Sequence, residues 1–493
     1  MNTKNNKLTE IILKIFCALG IGIAIFNFAY NRSLWLDEAM LALNIVKRPM
    51  LGLLSPLDMN QVAPIGFLLV EKAITLAFGN QDWVLRIFPL FSFLLSIPLF
   101  YHLSYRITGS KLISLVSCSV FSLLLNLIRY ATEVKQYSTD VLAAITIILS
   151  TLVFLESKDK KWILWYALIG VFSIWFSNVA VVLLFTAGLY VLYGYLKKKE
   201  GSIYKTVVPI AAWVVSFAVY YIFFIHNHPA KKMMSDYWSN TFIPQNIFSA
   251  DFYMSVWDKL QLVTGGLLVL NRFWPVAMFF VLAGIISAVK ASEKVFLILF
   301  PVVLHFMLAY FKLYPFELRL ILYLTPFIVL FYVMGMVFVY SLFKKAFITT
   351  PFFLLLFHTF FCFYILITNI PIEKEEIKKG LEYVNKKIAP SDKIYVYYAA
   401  RPAFEFYRDK YYNINKIDKI IFGKSNRKNW DYYNKEIVDI TGTIWVVFSH
   451  IYYVKNKDGL KEDAYITRQL AAVGYQIIDK KESKGVIIYK VLK

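Results

Sequence analysis

The sequence predicts a polytopic α-helical membrane protein carrying a small C-terminal α/β domain. Three observations predict it. Of 493 residues, 59% are hydrophobic and 17% charged, with a mean hydropathy of +0.56. Soluble chains run near a quarter charged, so this one has too little polar surface to cover soluble domains of that length. Apolar windows of about 20 residues, the helix length that crosses a hydrocarbon core of about 30 Å, recur as far as Asn369. Beyond Asn369 the pattern changes to short alternating helices and strands. Disorder, a coiled coil, a disulfide scaffold and an ordinary soluble enzyme are excluded.

In chain order the apolar windows fall at 11–30, 83–104, 111–128, 139–155, 162–177, 179–196, 206–225, 273–289, 295–311, 319–341 and 346–369, which makes about eleven transmembrane helices. Lys4 and Lys7 precede the first, and Phe28, Ala29 and Tyr30 follow it in place of a cleavage site, so it reads as a retained anchor. Net charge is +21, which in a soluble chain would suggest nucleic acid. Here the cations alternate between loops. With a cytoplasmic N-terminus the inner loops hold Arg106 and Lys111; Lys158, Lys160 and Lys161; Lys197, Lys198, Lys199 and Lys205; Lys290 and Lys294; and Lys344 and Lys345. On the other side Ser177 and Asn178 carry no charge, and 129–137 holds Arg129 and Lys135. The positive-inside rule explains that distribution, and no nucleic-acid partner is expected. Cys17, Cys118 and Cys362 lie in apolar runs and read as small buried hydrophobes.

The expected division is a transmembrane domain over 1–370, with an interfacial outer loop at 31–82, and an extracytoplasmic α/β domain over 371–493. In the tail, Glu373–Lys387 reads as an amphipathic helix with Ile377, Leu381 and Val384 on one face. Asp392–Tyr398, Thr443–Phe448 and Gly485–Val491 read as strands, and Glu462–Val473 as a helix.

Three outer segments carry more charge than a connector needs. After the first span, Asp37 and Glu38 are adjacent carboxylates behind Trp35, and the loop continues through Arg48, Asp58 and Gln61 to Ala63 and Pro64. Adjacent acids repel and need a cation or a shared proton, so this pair stands out from charges that merely reach the membrane edge. Phe67–Phe78, interrupted by Glu71 and Lys72, is too short to span and reads as a helix lying in the interface. The second segment holds Arg129, Tyr130, Glu133, Lys135, Gln136, Tyr137 and Asp140, and the third holds Lys312, Glu317 and Arg319. A membrane-edge acid pair facing cations can serve as a general base, a cation site or a proton relay.

The ordered set resembles the GT-C membrane glycosyltransferases, and within them the bacterial family 39 type, which includes protein O-mannosyltransferases and the aminoarabinose transferase. The residues carrying the likeness are Asp37-Glu38 after span one, Ala63-Pro64, Trp83 to Arg86 at the entry to span two, Glu133-x-Lys135-Gln136-Tyr137-Ser138 after span three, and Glu317-Leu318-Arg319 leading to Leu324-Thr325-Pro326. The likeness covers about 11–340; the tail matches only in being a small outer domain. It implies inverting transfer of a sugar from a polyprenyl-phosphate carrier to a lipid, glycan or protein acceptor at the outer face of a bacterial inner membrane. The matched positions make Asp37 the expected base, with Glu38 beside it and Glu133 as the second acidic site. The aminoarabinose transferase has Arg two residues after its acid pair and Lys before the proline; this chain has Met40 and Ala63 there. Phosphate binding is therefore expected from Lys135, Arg319 and Tyr137, with Arg129 and Gln61 as further contacts. No metal is expected to be obligatory, and a divalent cation stays open; His226 and His228 read as solvated loop. The competing readings are a transporter or flippase of lipid-linked sugars, and a surface-polysaccharide polymerase or ligase. The first would show two similar halves and mid-membrane charge, the second would lack the acidic pair.

Overall fold

The computed structural model describes residues 3–198, 203–343, 350–425, 429–430, 433, 441–456 and 459–493. Lys199, Lys344 and Lys345, three of the cations assigned to inner loops, and 346–349 of the last window lie outside them. Contacts divide the chain into two units, Met1–Ala29 with Arg48–Ile370, and Tyr30–Lys47 with Pro371–Lys493. The segment bearing the acid pair thus groups with the tail.

The helices run α1 (Thr3–Tyr30), α2 (Leu36–Lys47), α3 (Ile65–Phe78), α4 (Ile87–Thr108), α5 (Lys111–Leu123), α6 (Leu125–Ala131), α7 (Tyr137–Glu156), α8 (Lys161–Phe176), α9 (Ala180–Lys198), α10 (Ile203–Tyr220), α11 (Lys231–Tyr237), α12 (Ala250–Gln261), α13 (Trp274–Ala291), α14 (Phe296–Tyr310), α15 (Thr325–Phe343) and α16 (Thr350–Thr368). Each of the eleven predicted windows contains a helix. Among the described residues eight are long and apolar enough to cross a membrane, and α5 with α6, bent by 60°, makes nine only when the pair is counted as one span. Helix α8 is apolar but shorter.

The bend corrects the expectation of one continuous span at 111–128. Leu124 leaves the helix with extended backbone (φ −66, ψ 118), and α6 is re-aimed beyond it. Just before the break, the Ser122 carbonyl packs against Gly20 of α1, where any side chain would collide with it. Helices α13 and α15 approach in the same way. Gly284 meets the Phe331 backbone and Gly335 the Phe280 backbone, the small-residue contact that lets membrane helices touch.

Cations of three connections gather at one end of the bundle, with Glu156 from a fourth. Arg106 and Lys294 share Glu156, the latter at 3.2 Å, and Lys197 pairs with Glu293. Helix α7 runs from Tyr137 at the opposite end to Glu156 here. Helix α3, expected to lie in the interface, buries both Glu71 and Lys72. It packs on α8, with Gly66 against the Trp175 carbonyl.

The second unit is built on a five-stranded sheet. Its elements are α17 (Ile377–Lys387), β1 (Lys393–Val396), α18 (Arg401–Tyr407), α19 (Tyr412–Asn415), β2 (Ile420–Phe422), β3 (Ile444–Ser449), α20 (Glu462–Ala472), β4 (Gln476–Ser483) and β5 (Val486–Leu492). The strand order is β2-β1-β3-β5-β4. β1 is parallel to both neighbours (Ile394 opposite Ile420 and Trp445), whereas β5 is antiparallel to β3 and β4. β3 is buried along its whole length, as its apolar run from Ile444 to Phe448 requires. Ile377, Leu381 and Val384 of α17 are buried, as their spacing predicts. β2, β4 and α18 were not anticipated. β4 alternates Lys, Glu and Asp with few apolar residues, and β2 is three residues long, so neither carries a strand pattern. Glu462 is fully buried, accepting hydrogen bonds from the Tyr397, Tyr398 and Tyr433 hydroxyls.

Candidate active site

In the helical unit the predicted residues cluster around the turn that joins α6 to α7. Because α6 is one short helix after the bend, Arg129 and Tyr130 sit on its last turn, and Glu133 and Lys135 lie in the turn itself. Lys135 is 5% exposed, and its ammonium donates to Gln61 Oε1 at 2.8 Å. Gln61 comes from the loop before α3, so the structure joins two residues 74 positions apart. Glu133 is buried, with Oε2 3.8 Å from Arg129 Nε. The Tyr130 and Tyr137 rings meet edge to face at 5.0 Å. Charges on Glu133, Arg129, Arg319 and Glu317 all act on the Tyr130 phenol, which brings the third predicted segment to the second. Arg319 also lies over the Trp238 ring at 4.9 Å, an arrangement that orders a guanidinium without neutralising it.

Two further features of this unit bear on chemistry. Asp140, on the first turn of α7, accepts from Ser177 Oγ at 2.6 Å and is buried. Lys259 of α12 is also buried, and the charges of Asp258 and Glu317 act on it. Burial pulls its ammonium below the usual lysine range, while the two carboxylates oppose that shift. The sequence reading missed Lys259. Its signal is periodicity: Phe252, Val256, Lys259 and Val263 recur at helical spacing, so this cation stands where the pattern assigns an apolar residue.

The acid pair belongs to the other unit, and its two members differ. Helix α2 begins at Leu36, which puts Asp37 and Glu38 in its first turn, where the helix dipole favours anions. Glu38 has no exposed surface and pairs with Arg32 at 2.6 Å. Arg32 also donates to the Ser33 carbonyl at 3.1 Å. Asp37 is half-buried. Adjacent in sequence, the two carboxyls point to different environments because successive helix positions lie on different faces.

Among the described residues no group of three or more His, Cys, Asp or Glu side chains is placed to hold a metal ion. His228 Nδ1 accepts the Ala230 amide at 3.2 Å.

No family model matches the sequence, and no curated protein matches it significantly. Solved structures do match. ArnT from Cupriavidus metallidurans bound to undecaprenyl phosphate matches with a TM-score of 0.54 and 12% identity over 97% of each chain. The same protein in the apo state matches with a TM-score of 0.54 over 96% of this chain and 97% of that one. The Archaeoglobus fulgidus oligosaccharyltransferase in complex with Zn and sulfate follows at 0.46 and 10% identity, over 87% of this chain and 67% of that chain. The protein therefore has the GT-C-type fold of ArnT, with a small C-terminal sheet domain.

Proposed function

We propose that this protein is a glycosyltransferase that moves a sugar from a polyprenyl-phosphate carrier to a lipid, glycan or protein acceptor. The observation that carries the reading is the buried, Gln61-held Lys135 among Arg129, Glu133 and Arg319 in an ArnT-like fold. Cations kept near apolar surface, with their geometry set by neighbours, suit an anionic headgroup that cannot leave the bilayer.

In the proposed reaction the acceptor hydroxyl or amine attacks the anomeric carbon, and the bond from that carbon to the phosphate oxygen breaks. The electron pair leaves with the phosphate, which Lys135 and Arg319 stabilise, with Arg129 and Tyr137 as further contacts. The acceptor proton passes to Asp37 as general base. One displacement inverts the anomeric centre. Glu38, committed to Arg32, holds the segment, and Glu133 orders Arg129. The reading places the N-terminus in the cytoplasm and the C-terminal domain outside. It assigns charge neutralisation to side chains, so a chelator should leave turnover unchanged.

The test is release of undecaprenyl phosphate from a panel of undecaprenyl-phosphate-linked sugars by the protein in proteoliposomes. Wild type should release it with at least one sugar when a membrane extract supplies acceptor, and Asp37→Asn should not, while remaining folded in detergent. Full release by Asp37→Asn would remove Asp37 from the base role. Movement of intact lipid-linked sugar across the bilayer without release would favour a flippase.

A further inference from the structure

The start of helix α2 draws an acceptor from far along the chain. The residue before Leu36 is Trp35, whose side chain offers no acceptor oxygen, and the N–H groups of a first helical turn have no intrahelical partner. The acceptor comes from a residue 339 positions away. Glu375 Oε2 accepts the Leu36 amide at 3.1 Å, bringing a carboxylate to the positive end of the helix.

Glu375 is itself held. Its Oε1 lies 2.6 Å from His450 Nδ1, and its Oε2 accepts from Ser449 Oγ at 3.4 Å. Ser449 ends β3 and His450 follows with φ +52, a left-handed conformation uncommon outside glycine. That turn lies on the carboxyl edge of the parallel strands β1 and β3. There the chain reverses its order across the sheet, the place where open α/β sheets leave a crevice. The crevice is filled by the chain itself. Trp35 stacks on His450 with ring centres 6.1 Å apart. The Leu34 amide donates to the Tyr407 hydroxyl at 2.9 Å. The Ser33 amide and hydroxyl donate to Glu376 Oε2 at 3.4 and 3.3 Å. Three of the four backbone N–H groups from Ser33 to Leu36 therefore end on side chains of the C-terminal domain.

We propose that the C-terminal domain is a positioning element for the transfer reaction, with Glu375 capping α2 from outside the helix and thereby fixing Asp37. The proposal rests on the reading of Asp37 as base. The cap acts on the amide immediately before Asp37, so it helps to set the direction of that carboxylate. Glu38 cannot take over, because Arg32 holds it.

Three variants of the full-length protein test this: Glu375→Ala, Glu375→Gln and His450→Phe. Loss of a cap should raise amide exchange over 36–41 by about 5- to 30-fold. Glu375→Ala should also lower kcat by roughly 10- to 100-fold, the scale set by a misplaced catalytic group, with KM and undecaprenyl-phosphate affinity unchanged. Glu375→Gln keeps an acceptor oxygen and should restore most of both, and His450→Phe should fall between. A contact serving only to keep the domain folded would lower the unfolding temperature and would not split kcat from KM. Wild-type exchange in Glu375→Ala overturns the cap. Unchanged kcat in Glu375→Ala, with Asp37→Asn inactive, overturns the positioning role. An active Asp37→Asn defeats the proposed function instead, and the exchange measurement still decides the cap. If Glu375→Ala fails to fold, His450→Phe and Glu375→Gln carry the same comparison.

Discussion

Glu38→Gln should damage the protein in a way that Asp37→Asn does not. Side-chain exposure at the Arg32–Glu38 pair is 4% and 0%, and the ion pair spans 2.6 Å. Removing one charge takes away the ion-pair partner of a buried group, a loss of about 3–5 kcal/mol in comparable pairs. Glutamine keeps the shape and an acceptor oxygen, so the lower figure applies. About 3 kcal/mol corresponds to roughly a hundredfold rise in local opening. Hydrogen exchange over 32–41 reads that rise directly, in detergent and without a substrate. Arg32→Met should produce a similar effect. The double variant Arg32→Met with Glu38→Met removes both charges, so it should recover much of the loss, giving a coupling of several kcal/mol in the double-mutant cycle. Wild-type exchange in Glu38→Gln together with lost activity would refute the reasoning and make Glu38 a chemical group, not a structural one.

Lys135→Ala should weaken undecaprenyl-phosphate binding about 10- to 150-fold, as loss of a hydrogen bond to a charged group worth about 1.5–3 kcal/mol implies, and a binding isotherm in detergent checks it. The Glu71 carboxyl is buried among the described residues without a hydrogen-bond partner, and burial alone holds it well above the usual carboxylate range. The folded state therefore keeps a proton there that the unfolded state releases, so this group's contribution is fully present below about pH 4.5 and is lost as pH rises through the folded value. Glu71→Gln should remove that loss, so its unfolding temperature relative to wild type should climb between pH 5 and pH 8; parallel profiles would contradict it. Gly335→Val should force α13 and α15 apart and lower the unfolding temperature, whereas Gly22→Ala on α1, where a methyl group meets open space, should not.

The membrane-spanning architecture was legible in the sequence because the bilayer imposes one demand on every span. About 20 apolar residues must satisfy their own backbone, and composition records that locally. The α17 face and the apolar run of β3 were legible for the same reason, as each is written within a few residues. The bend at Leu124 was not. Leu124 is a good helix former, and the contact at the break comes from Gly20, about a hundred positions away.

The same division runs through the site. Sequence singled out Asp37, Glu38, Glu133, Lys135 and Arg319 as charges in excess of what a connector needs. It could not separate Asp37 from Glu38, since they are neighbours and only Arg32, folded back across the start of α2, distinguishes them. It could not assign 30–47 to the C-terminal domain either. The amides of that segment end on Glu375, Glu376 and Tyr407, and no periodicity links residues more than 300 positions apart. Composition and spacing thus determined which charged groups stand out from those that a connector needs. Which carboxylate is committed to structure, and which side chain caps its helix, was decided only by tertiary packing, because a buried charge takes its partner from whatever the fold places beside it.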